Sequence, residues 1–287
     1  MPDHGLQALK GIKALTFDVF GTVVDWRRPV EAALSAALRP INKRPYSSAS
    51  PPSTEDEAAE RAEAEARARA LTDADVAALA QEWRDGYKRF TLGFRPGTDP
   101  WKDVDAHHHD SLVELLRKYG LSGALDAAGV RELSLVWHRL TPWPDSAAGL
   151  RALGSGGDGG LGLATATLSN GNRALLADLD AFGGLGFGNL FSAEDFGVYK
   201  PDPGVYLGAA ERLGVGPGEV AMVAAHLNDL DAARRLGLRT VYVERDGEED
   251  WEVGSERYEA AKGWVDLWVG ADEGGFVEVS RRLRDVL

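Results

Sequence analysis

Residues 15–28 read LTFDVFGTVVDWRR, an apolar run that ends on a single acidic residue, Asp18, and turns at Gly21 and Thr22. A strand with an aspartate at its C-terminal tip puts a carboxylate where open α/β sheets form their ligand crevices. Further short apolar runs lie at 14–17, 161–168, 220–224 and 239–243, with a weaker one at 267–269. Helical stretches at 173–182 and 203–213 separate them. Strands alternating with helices predict βαβ units and a parallel sheet flanked by helices.

The first strand and the run ending at Ser169 lie about 140 residues apart, far more than a crossover needs, so a folded insert is expected. Its pattern is helical. Residues 30–38 form a short amphipathic stretch, and Val76, Leu79, Trp83, Tyr87 and Phe90 recur every three or four positions on one face. Thr72 followed by Asp75 supplies an N-cap to that helix. Further helices are expected at 111–119 and 130–140. Residues 40–55 are rich in Pro and Ser, and the acid–Ala–Arg alternation after them shows no apolar face. Residues 40–70 therefore read as a peripheral, partly mobile insertion without catalytic residues. The glycine-rich stretch 154–162 precedes a strand instead of following one, which makes it a turn and not a dinucleotide loop.

A net charge of −13, a pI near 5.0 and the lack of any Lys/Arg-rich block argue against nucleic acid or an anionic membrane as the main partner. Such a protein attracts a small anionic ligand through a few fixed cations. With no cysteine, disulfides, thiolate nucleophiles and Cys-based metal sites are excluded. The first residues lack a signal pattern and no apolar run approaches a membrane span, so a cytoplasmic protein is the expectation.

The block around Asp18, TATLSNGN (165–172), VYKPDPGVY (198–206) and VAAHLNDLDAARRLG (223–237) together resemble the haloacid dehalogenase superfamily, and within it the 2-haloacid dehalogenase branch. The resemblance spans nearly the whole chain apart from 40–70. It implies a Rossmann-like core at 8–26 plus 144–287 and an inserted helical cap domain at 27–143. The implied activity is hydrolysis of short 2-haloalkanoic acids through an aspartyl ester, without metal or other cofactor. The partner implied is a small anionic organic substrate, and a homodimer is left open.

By the same resemblance Asp18 is the nucleophile, Lys200 keeps it ionised, and Thr22 bonds its carboxylate or the nearby backbone. Asp229 orients Lys200 or positions the hydrolytic water. Ser169 and Asn170 meet the substrate carboxylate and the halide, Tyr206 lies near the site, and Arg84 in EWRDGYKRF (82–90) receives the departing halide. Phe20 stands two residues after Asp18, where the superfamily's phosphatases carry a proton-donating aspartate, and Ala225 stands where they carry a magnesium-binding acid. A leaving group that departs unaided as an anion fits Phe20. The chain departs from the best-known dehalogenase pattern at Ala224 and His226, which replace Ser and Asn. His226 is open to two readings, a partner of Asp18 or of water acting as a base near neutral pH, or a loop histidine satisfied by backbone. Alternatives of other classes are a small-molecule phosphatase and a catalytically weak ligand-binding protein. His107, His108 and His109 are adjacent on one element and cannot all face one ion, so they are assigned to the surface.

Overall fold

The structure, a computed structural model, describes residues 4–39, 54–154 and 159–287. Residues 40–53 of the expected insertion and 155–158 of the expected glycine-rich turn lie outside them. In chain order the elements are α1 (His4–Ala8), β1 (Ala14–Phe17), β2 (Val24–Asp25), α2 (Arg27–Leu38), α3 (Glu55–Ala70), α4 (Asp73–Gly93), α5 (Val104–Lys118) and α6 (Ala127–Ser134). A 3₁₀ turn at Leu135–Arg139 leads to β3 (Thr141–Pro142), α7 (Ser146–Leu153), β4 (Ala164–Ser169), α8 (Arg173–Gly183) and β5 (Asn189–Ser192). The chain continues through α9 (Pro203–Leu213), β6 (Val220–Ala224), α10 (Leu227–Arg235), β7 (Arg239–Val243), α11 (Glu256–Ala261), β8 (Leu267–Val269) and α12 (Gly275–Arg284).

Two compact units result, Met1–Asp25 with Thr141–Leu287, and Trp26–Leu140. The first holds a six-stranded sheet in the order β5-β4-β1-β6-β7-β8, every pair parallel. Such a sheet is covered on both faces, which is why β1 and β6 are buried at every residue and read as continuous apolar runs. β1 lies between β4 and β6, with Phe17 opposite both Thr167 and Val223. The chain winds outward from β1 through β4 to β5, then returns to β1's other side at β6. The C-terminal tips of β1, β4 and β6 thus converge at a topological switch point, where α/β sheets bind ligands. Behind the tips, Phe17 packs edge-on against Phe276 of α12, ring centroids 5.2 Å apart. Edge strand β5 has no counterpart among the expected strands. It is only four residues long, beside a glycine-rich approach, and carries no periodic signal.

The second unit is helical. α4 opens with the expected cap: Thr72 and Asp75 exchange side-chain-to-backbone hydrogen bonds in a capping box. Val76, Leu79, Trp83 and Tyr87 are buried along one face, and Arg84 is buried with them. α3 forms where a solvated helix was expected, but Ala64 and Ala68 are buried, so small residues four apart give it a narrow packing face. His108 corrects the surface assignment. It is 1% exposed, because its place on α5 turns it inward against Trp83 and Trp137 while His107 and His109 flank it. No helix among the described residues is long and apolar enough to cross a membrane.

Candidate active site

Asp18 follows β1 directly, its backbone N–H donating to the carbonyl of Val223 on β6 at 3.0 Å. Gly21 takes φ +85°, which L side chains rarely adopt, and this bends the chain back under the carboxylate. The bend brings Thr22 to the nucleophile. Its hydroxyl donates to Asp18 Oδ2 at 2.8 Å and accepts from the N–H of Ala225 at 2.9 Å, tying the β1 loop to the β6 loop. Below it, Arg245 after β7 donates to the Thr22 carbonyl and forms a bidentate pair with Asp145 at 2.7 and 2.8 Å.

Around Asp18 the ionised groups alternate in sign. Lys200 Nζ lies 2.9 Å from Asp18 Oδ1 and 2.6 Å from Asp229 Oδ2. Tyr206 on α9 donates its hydroxyl to the other Asp229 oxygen at 2.5 Å. On the opposite side His226 Nδ1 lies 3.1 Å from Asp18 Oδ2, and its Nε2 is 3.4 Å from Glu248 Oε2. The sequence Glu248–His226–Asp18–Lys200–Asp229–Tyr206 is thus continuous, with three carboxylates around two cations.

Burial and charge compete at each group. Burial alone would push the Asp18 carboxyl up, but the Lys200 charge and the His226 bond overcome it and hold the group well below the usual carboxylate range. Burial works against the Lys200 ammonium, yet Asp18 and Asp229 keep it firmly charged. For His226, burial likewise opposes the charge, while its bond to Asp18 and the nearby carboxylate of Glu248 raise it to about 9. Tyr206 is pushed well above its ordinary value by burial and by Asp229, so it stays a donor. Of the two readings left open for His226, the geometry matches a partner of Asp18. Between two carboxylates its charged form is favoured while Asp18 is ionised.

The remaining expected residues are dispersed among different tasks. Ser169, the last residue of β4, is fully buried and accepts from the N–H of Gly171 at 3.1 Å. Asn170 spans to the backbone of Lys200, accepting from its N–H at 2.7 Å and donating to its carbonyl at 3.4 Å. The Asn170 amide thereby sets the height of the lysine. The Phe20 ring lies over Gly171, where an added Cβ would come within 3.1 Å of it. Arg84 belongs to the helical unit, its guanidinium 4.9 Å from the Tyr87 ring and 5.6 Å from the Trp26 ring.

Glu248 is the site residue that motif reading missed. It lies in the loop after β7, 6% exposed, so close to Gly21 that a Cβ there would strike its carboxylate. The available signal was position: a loop after a parallel strand, RDGEED (245–250), opening with a turn at Asp246-Gly247. Among the described residues no group of three or more His, Asp or Glu could hold a metal ion.

Comparison with known proteins identifies the family. Haloacid dehalogenase-like hydrolases match over residues 12–237. An (S)-2-haloacid dehalogenase, 4A, of Burkholderia cepacia is 32% identical over 184 residues, 61% of this chain and 73% of its own. The crystal structure of an L-2-haloacid dehalogenase, 36% identical, superposes with a TM-score of 0.73, covering 96% of this chain and 100% of that one. A defluorinating L-2-haloacid dehalogenase, 31% identical, gives 0.71 and covers 95% of each chain. With more than half its length matched, the chain belongs to the haloacid dehalogenase-like hydrolases.

Proposed function

We propose that this protein is a 2-haloacid dehalogenase that hydrolyses short 2-haloalkanoic acids through an ester on Asp18. The observation that carries the reading is a carboxylate kept ionised by Lys200 at 2.9 Å, with apolar Phe20 where a leaving group needing protonation would need an acid. A carboxylate attacks carbon well when it is held in place and halide departs unaided. In the first step an oxygen of Asp18 bonds to C2 as the carbon–halogen bond breaks and halide leaves. In the second, water adds to the ester carbonyl carbon, and collapse frees the 2-hydroxy acid and restores Asp18. C2 is attacked once, so its configuration inverts.

Ester formation abolishes the Asp18 charge, leaving Glu248 as the carboxylate at His226. The proton affinity of the imidazole falls at the stage that needs a base. Nδ1 then releases its proton to solvent and takes one from the attacking water. Asp229 and Tyr206 hold Lys200 in place throughout. Ser169 and Asn170 shape the β4 loop that receives the substrate anion, and Arg84 is assigned to the halide by the likeness to the family.

Single turnover in heavy-oxygen water tests the mechanism: label is expected first in Asp18, and Asp18→Asn is expected to abolish halide release with the fold intact. Label entering only the product would mean that water attacks C2 directly. With Phe20 and Ala225 replacing two acids, full turnover is expected after exhaustive chelation. Activity lost on chelation and restored by magnesium would assign the site to phosphate chemistry.

A further inference from the structure

In the helical unit, α4 and α5 enclose a groove of about 540 Å³, within the range of sites that hold small ligands. Glu82, Gly86 and Arg89 step along one face of α4 to line it, whereas Arg84, two residues before Gly86, lies on another face. Gly86 stands in the interior of a 21-residue helix, where glycine is less favourable than any residue but proline. Packing does not require it. An added Cβ would meet nothing nearer than Arg89 Nη2 at 3.9 Å and His107 Nε2 at 4.0 Å, which are ordinary contact distances. The missing side chain leaves a notch over the helix backbone, bordered by two side-chain nitrogens.

Both nitrogens are able to donate. Glu82 is the groove carboxylate close enough to feel the Arg89 charge, but its two oxygens already accept from Lys118 and from the Tyr119 hydroxyl. His107 Nε2 is buried without a hydrogen bond, the Gly86 backbone lying near it but outside bonding geometry. Burial and the Lys102 charge hold that imidazole down at about 4, so at neutral pH it is uncharged and has one N–H to place on Nε2. Arg89, Arg117 and Lys118 face Glu82 and Glu114 in the groove, an excess of one positive charge in a chain whose net charge is −13. That excess matches a monoanion better than a doubly charged phosphate. A planar guanidinium fork beside a single N–H suits a carboxylate. The remaining walls are apolar and flat: Phe90 stacks on His107 with centroids 4.2 Å and planes 5° apart, and Trp83 and Leu115 line the same space. Flat rings pack best against flat molecules.

We infer that this groove binds a monocarboxylate with a planar apolar body, an aryl carboxylate, whose head group enters the Gly86 notch against Arg89 and His107. The site does not depend on the dehalogenase reading. It is tested on the full chain at neutral pH by titrating 2-naphthoate and following tryptophan fluorescence, since Trp83 lines the groove. Saturable quenching is expected. Arg89→Gln is expected to weaken 2-naphthoate binding about ten- to a hundredfold, the loss of one charge-assisted hydrogen bond, and 2-naphthamide, which keeps the rings but not the charge, should bind the parent weaker by about the same factor. Gly86→Ala is expected to raise the melting temperature, alanine being the better helix former, and yet to weaken 2-naphthoate binding, because its methyl group occupies the notch. Unchanged affinity in either variant overturns the proposal, as does 2-naphthamide binding as tightly as 2-naphthoate. Lack of saturation at millimolar 2-naphthoate overturns it too. No arm reads halide release, so the outcome is separate from whether Asp18 forms an ester.

Discussion

In the sheet unit a buried carboxylate is held by charges, with Lys200 and His226 on Asp18 and with Asp229 and Glu248 behind them. In the helical unit a buried guanidinium lies over rings, those of Trp26 and Tyr87, with a neutral His108 completing the wall. Ion pairs at 2.6–3.4 Å are directional, respond to protonation and collapse when one partner is lost. Contacts between a cation and ring faces tolerate shape changes of a few tenths of an ångström and do not titrate. The sheet unit is thus suited to moving charge during a reaction. The helical unit is suited to presenting a permanent charge that stays constant while the other changes.

The largest expected effect tests the ionic half. Lys200→Met would leave Asp18 and Asp229 facing each other with their shared cation removed. Breaking a buried pair in this way costs about 3–5 kcal/mol, because the surviving charge is uncompensated. The urea midpoint should fall accordingly, and halide release should vanish with it. A loss below about 1 kcal/mol would class the pair with exposed salt bridges and the site as solvated.

Next in size is a pH effect. His226 is raised from 6.5 to about 9 in the folded protein, so its contribution to stability is fully present below pH 6.5 and is lost as pH rises through about 9. The denaturant midpoint of the parent should decline across that window. In Glu248→Gln one of the two carboxylates sustaining the proton is gone, and the decline should end nearer 6.5 and be smaller. Asp18 has the opposite sign: its contribution is present above its ordinary 3.8 and is lost only as pH falls well below it. Superimposable alkaline limbs for parent and Glu248→Gln would detach Glu248 from the site.

What was legible in the sequence follows the same division. β1, β6, β7 and β8 end where the apolar runs end, because strands buried on both faces are written as mostly apolar residues. Asp18, Lys200 and Asp229 stood out because each belongs to a short motif at a strand tip or beside a proline turn. β5 and Glu248 did not, since a four-residue edge strand and a loop glutamate have no pattern of their own. The inward turn of His108 was hidden for a different reason: three consecutive histidines must occupy three directions on a helix, and the sequence alone does not say which one meets Trp137.

A smaller effect is expected where the charge is held by rings. Arg84→Lys keeps the cation but gives up the planar fork that stacks on Tyr87 and can bond two groups at once. Losing one positioned charge-assisted hydrogen bond is worth about 1.5–3 kcal/mol, so turnover should fall roughly ten- to a hundredfold with little change in stability. Wild-type kinetics in this variant would remove the helical unit from the chemistry.

The smallest expected effect separates how α4 is begun from how it presents Arg84. The Thr72 hydroxyl accepts from the Asp75 N–H at 3.2 Å, three turns before Arg84. Thr72→Ala removes that cap and should cost about 1 kcal/mol in global stability, the usual price of an N-cap. If the ring of Trp26, Tyr87, His108 and Trp137 fixes the guanidinium, fraying of the first turn does not reach it, and kcat and KM for halide release should stay as in the parent. Rotation or translation of the whole helix would instead misplace Arg84 and lower turnover together with stability. Measuring the melting temperature and the halide-release rate on one preparation distinguishes the two. A rate that falls in step with stability would show that Arg84 is positioned by its helix and not by the rings around it.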